Sequence, residues 1–114
     1  MVVHNRTRDQ VLISDGEAAT SFLARLRGLI GHAPLQEGQG MMIKPCSSIH
    51  TFGMGFPIDV VFADQVGRVV KTASEVPPNR IGPVARGAAF VLELPAGTIA
   101  RTGIQVGDQI VIET

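Results

Sequence analysis

The run Ile58-Asp59-Val60-Val61-Phe62-Ala63-Asp64-Gln65-Val66-Gly67-Arg68-Val69-Val70-Lys71-Thr72 decides the fold class. Ile58 to Ala63 has the β-branched and aromatic content of a strand. Asp64 to Gly67 supplies turn residues, and Arg68 to Thr72 returns antiparallel, so the segment predicts a β-hairpin. Pro77, Pro78 and Asn79 end that unit, and residues 80–87 read as a glycine-bearing loop. Ala88 to Leu94 predicts another strand, closed by Pro95-Ala96-Gly97. A helical turn near Thr98–Thr102 and a half-exposed strand over 109–113 follow. Upstream, residues 2–6 and 10–14 read as short strands, 32–40 as a loop, and Met41-Met42-Ile43 as the start of another strand.

One helix is predicted, capped by Thr20 and stopped by Gly31. Phe22, Leu23, Leu26, Leu29 and Ile30 share its apolar face, flanked by Arg25 and Arg27. Gly28 lies off that stripe, where glycine costs about 1 kcal/mol relative to alanine. It marks either a close approach to the backbone or an early end of the helix. The fold class is therefore mostly β, or α+β: a small antiparallel sheet or partly open barrel with one N-terminal-half helix packed on it. Residues 1–114 read as a single domain.

The composition excludes several functional classes. Ten basic and ten acidic residues balance to zero net charge, and there is no Trp or Tyr beside five Phe. Neither a basic field nor stacking platforms favour nucleic acid, and no charge excess favours a membrane surface. One cysteine rules out a disulfide scaffold. No segment has the length of a signal peptide or a membrane span. The expectation is a cytoplasmic protein with a reduced thiol, a monomer or weak homo-oligomer, whose partner is a small molecule or another protein.

Two carboxylates interrupt strands that are apolar on both faces. Ile58, Val60 and Phe62 share one face, and Asp59 shares the other with Val61 and Ala63. Glu93 sits with Ala89 and Val91, opposite Phe90, Leu92 and Leu94. A carboxylate in such a place must be paired, hydrogen-bonded or protonated. Asp59 reads either as an acceptor for backbone N–H groups or an arginine such as Arg27, or as a site residue. Glu93, next to Pro95 at a strand end, reads as structural.

The densest polar stretch runs from Pro45 to Asp59 and holds Cys46, Ser47, Ser48, His50, Thr51 and Met54. Prolines at 45 and 57 predict a loop, where scaffolds present functional side chains. A Cys46–His50 thiolate pair oriented by Asp59, a metal site with His32 or Asp59, and a binding pocket floored by Ser47, Ser48 and His50 all compete. So does the plain alternative of Cys46 as a small buried apolar group and His50 tied to backbone. No paired ligand motif supports the metal reading, and no cofactor or metal is expected. Met41, Met42 and Met54 read as core filler, and the arginines at 25, 27, 80, 86 and 101 as solvated or ion-paired.

Leu26-Arg27-Gly28-Leu29-Ile30-Gly31, then Gly40-Met41-Met42, then Cys46 to Asp59 running into Val60-Val61-Phe62, resemble the bacterial and archaeal domain-of-unknown-function family 192. Val91 to Gly97 and Gly107-Asp108 resemble its closing motifs, so the likeness spans about residues 18–113. It implies a compact, largely β fold with a helix near its start, and no activity. The matching motif positions include Arg27, Gly28, Cys46, Ser48, His50, Met54, Asp59 and Glu93. Gly53 and Gly55 depart from the family pattern of an aromatic before the motif methionine and a larger residue after it.

The functional expectation is a binding or accessory module with a polar site on residues 45–59, its candidates being Arg27, Cys46, Ser48, His50, Met54 and Asp59. The alternative is a thiol-dependent enzyme or redox sensor using Cys46 with His50.

Overall fold

In the computed structural model, which describes residues 1–113, the chain runs β1 (Val2–Asn5), β2 (Gln10–Ile13), β3 (Asp15–Ala19), α1 (Phe22–Arg27), β4 (Gln39–Ile43), β5 (Ser48–His50), β6 (Ile58–Ala63), β7 (Val69–Val76), β8 (Ile81–Val84), β9 (Phe90–Pro95), α2 (Thr98–Thr102) and β10 (Ile110–Glu113). The last residue of the expected 1–114 span lies outside the described residues. Five strands form the central sheet in the order β3-β4-β9-β6-β7. Its pairs are antiparallel except β3 with β4. A second antiparallel sheet has the order β10-β1-β2, and β5 pairs with β8. Among the described residues no sheet closes into a barrel.

The alternation read from the hairpin sorts the core into two layers. Ile58, Val60 and Phe62 join Met41, Ile43, Val91, Met54 and Leu29 on one face of the central sheet. Val61 and Ala63 join Leu92, Leu94, Val3, Leu12 and Ile110 on the other, under the β10-β1-β2 sheet. Strands buried on both sides lose the simple hydrophobic alternation of a half-exposed sheet, which is why β6 reads as nearly continuous apolar sequence. All six of its residues are buried.

Buried acids tie the second layer together. Asp59 Oδ1 accepts from the Glu75 amide at 2.8 Å, and Oδ2 accepts from the Ile99 amide at 2.8 Å. One side chain thus fixes the end of β7, where Glu75 has a positive φ of 51°, and the first turn of α2. Asp108 Oδ2 accepts from Asn5 Nδ2 at 2.8 Å, Arg8 Nε at 2.7 Å and the Gln105 amide at 3.0 Å. Burial alone would raise the Asp108 carboxyl, but these donors outweigh it and hold it below the usual carboxylate range.

The helix corrects the sequence reading. Its N-cap is Ser21, whose Oγ accepts from the Ala24 amide at 3.2 Å, rather than Thr20. Its C-cap is Gly28 (φ 48°, ψ −125°), three residues before Gly31. A six-residue helix makes under two turns, so the apolar stripe drawn through residue 30 runs past its end. Leu29, beyond the cap, turns into the core, while Phe22, Leu23 and Leu26 stay exposed at 67, 76 and 55 %. The helix therefore does not pack on the sheet through that stripe. Strands β3, β5 and β8 replace segments read as loops or left unassigned.

Replacing Asp59 with alanine leaves two amides without acceptors and should cost about 2–4 kcal/mol in urea unfolding, with asparagine at that position costing less. A loss under about 0.5 kcal/mol would show that water takes over both bonds.

Candidate functional site

The early end of α1 opens space beneath it. Between the helix and residues 45–54 lies a cavity of about 510 Å³, within the usual range of small-molecule sites. Arg27, Cys46, Ser48, His50 and Met54, five of the six residues expected from the sequence, line it. Asp59 does not, because it sits on the opposite face of the sheet with both carboxylate oxygens held by backbone amides. The proposed Asp59–His50 and Asp59–Arg27 contacts are therefore not formed.

Glu93 is the lining residue that the sequence reading assigned to structure. It points to the cavity face because Val91, two residues before it on β9, belongs to that layer. Its partners across the ladder are Met41 and Val60, both apolar. Glu93 is 2 % exposed, and its Oε1 has no hydrogen-bond partner among the described residues. Burial pushes the carboxyl up to about 7. The sequence signal was the same as for Asp59, an acid in a strand apolar on both faces; what differs is whether donors face it.

The α1 terminus lies close to Glu93. A Cβ added at Gly28 would stand 3.7 Å from Glu93 Oε1, in a backbone conformation only glycine adopts readily. Arg25 spans the mouth: Nε donates to the Ser21 carbonyl at 3.4 Å and Nη1 to the Pro45 carbonyl at 3.2 Å. Gly53 has a φ of 77°, so the residue that departs from the family pattern meets a backbone demand there. Its would-be Cβ lies 3.3 Å from Ile30 Cγ2.

Cys46 is half-buried, and its Sγ donates to the Ser48 carbonyl at 3.0 Å. Burial pushes the thiol up, the Glu93 charge adds to the rise, and the Arg25 charge opposes it. A nucleophilic or sensing cysteine needs the opposite shift. Among the described residues no hydrogen bond joins Cys46 to His50. The imidazole instead lies 6.0 Å, centroid to centroid, from the Phe52 ring. A smaller cavity of about 330 Å³ lies between α1 and β3, beside Glu17, His32 and Arg27. Among the described residues no three His, Cys, Asp or Glu side chains are grouped to hold a metal, and no helix is long and apolar enough to cross a membrane.

The family described as Uncharacterized ACR, domain-of-unknown-function family 192, matches residues 3–112. The chain belongs to this family. A UPF0127 protein from Thermococcus sibiricus is 32 % identical over 111 residues, covering 93 % of this chain and 71 % of its own. A solved structure of a protein of unknown function from Novosphingobium aromaticivorans superposes with a TM-score of 0.84 at 25 % identity, covering 97 % of this chain and 82 % of that one. A proposed transcription regulator from Sinorhizobium meliloti 1021 shares the fold with a TM-score of 0.83 at 22 % identity, covering 96 and 89 %. The family assignment agrees with the fold and motif order read from the sequence.

Glu93 makes stability depend on pH with a definite sign. Its folded value of about 7 exceeds the ordinary 4.5, so the folded chain keeps a proton that the unfolded chain has lost. Its destabilising effect is absent below about pH 4.5, grows with pH, and is complete above about 7, amounting to roughly 3 kcal/mol. The other charged or titratable lining groups are Arg25, Arg27, Cys46 and His50. Glu93→Gln should be more stable than the parent by roughly 1–3 kcal/mol at pH 8 and nearly equal to it at pH 4.5. An unchanged difference across that range would place the carboxyl in water.

Proposed function

We propose that the protein is a small ligand-binding module whose site is the cavity between α1 and residues 45–54. The observation that carries this is Glu93 Oε1, buried without a partner at the cavity floor. A buried acceptor left open costs more than a typical hydrogen bond returns, and a ligand in this cavity would supply the donor. The apolar walls from Leu29, Ile43 and Met54 and the polar rim of Ser48, His50 and Arg27 match the make-up of small-molecule sites. Asp59 takes the role of scaffold in this reading. A half-buried, protonated Cys46 fits a wall position and the reducing, cytoplasmic setting expected from the sequence.

Amide NMR shifts during titration with a fragment collection test this reading. Binders with dissociation constants of about 1 mM or tighter should move the amides of Gly28, Cys46, Ser48, His50 and Glu93 together. Ser48→Trp, at an exposed rim position, should abolish those shifts and leave the spectrum dispersed. Hits scattered over other surfaces, or none, would refute a site here.

A further inference from the structure

The charges around the cavity restrict what it takes, and the restriction rests on the binding reading above. The floor presents one carboxylate with an unpartnered oxygen, Glu93. The helix side contributes two arginines to its lining, Arg25 and Arg27. Ion pairs among the described residues use Arg8, His32 and Arg101, so neither cavity arginine is held by a carboxylate. Arg25 spends Nε and Nη1 on carbonyl oxygens, and among the described residues its Nη2 donates to none. Glu93 and both arginines line the same cavity, so residues of both charge signs border one space.

A purely cationic ligand would satisfy Glu93 but sit against two arginines. A purely anionic one would pair with the arginines and leave Glu93 Oε1 open. An apolar ligand would do neither. We infer that the cavity takes a compact zwitterion with an apolar side chain, a free amino acid or a dipeptide. Its ammonium donates to Glu93, its carboxylate meets Arg25 and Arg27, and its side chain lies against Leu26, Ile30 and Met54. A cavity of about 510 Å³ has room for either source.

Isothermal titration of the full chain with L-leucine, L-phenylalanine and L-leucyl-L-leucine tests this against isoamylamine and 4-methylpentanoate, which carry the ammonium alone and the carboxylate alone. At least one zwitterion should bind with a dissociation constant of about 1 mM or tighter, and both single-charge probes at least about tenfold more weakly. Preference between leucine and the dipeptide identifies the source. Glu93→Gln should weaken the zwitterion about tenfold or more without weakening 4-methylpentanoate, and Arg25→Gln with Arg27→Gln should do the reverse with isoamylamine as the unaffected probe. A single-charge probe that binds as tightly as the zwitterions overturns the inference while leaving a binding site. The same holds if none of these probes binds but fragments still shift the cavity amides. Silence in both experiments refutes the site itself.

Discussion

A carboxylate built into a strand with core on both sides must find donors, keep its proton, or wait for a partner, and this fold contains two different answers to that demand. Asp59 and Glu93 lie on neighbouring central strands, one register step apart, and point to opposite faces. Asp59 meets two amides that end β7 and start α2, so its charge becomes a joint between elements. Glu93 meets Met41 and Val60 across the ladder, and its Oε1 has no donor among the described residues. The first acid holds the scaffold together, while the second sets the chemistry of the cavity.

The cavity exists because α1 is short. Ser21 starts the helix and Gly28 stops it within two turns, so the chain drops Leu29 into the core and leaves Phe22, Leu23 and Leu26 in the open. The Arg25 bond to the Pro45 carbonyl then ties this shortened helix to the opposite wall. The geometry that leaves Glu93 without donors also leaves room for something that brings one.

Much of this was legible in the sequence. The 58–72 hairpin, the alternation that splits the core, and the strands around β1, β2, β9 and β10 follow from period-two patterning and turn residues. Cys46, Ser48, His50 and Met54 stand out in the sequence as part of the dense stretch between Pro45 and Pro57, and Arg27 through the family-like motif on the helix. Strand β3, Asp-Gly-Glu-Ala-Ala, was not, because its pairing with β4 overrides a composition poor in strand formers. Strand β8 carries glycine and proline and pairs with β5. The helix was overdrawn because its apolar periodicity runs on past Gly28, although that glycine was itself a signal for the early end and close approach seen there. Asp59 and Glu93 carry the same local signature, and what separates them is the pair of backbone amides, Glu75 and Ile99, that the tertiary fold brings to Asp59.

Glu93 is the centre of the account, and its protonation can be watched directly. Carbon-detected NMR of the glutamate side-chain carboxyls, with the Glu93 resonance assigned by its loss in Glu93→Gln, follows that proton across pH in the ligand-free protein. Burial without a partner predicts a midpoint near 7. A midpoint near 4.5, the ordinary value for a glutamate, would mean that Glu93 is solvated or paired and would contradict the account.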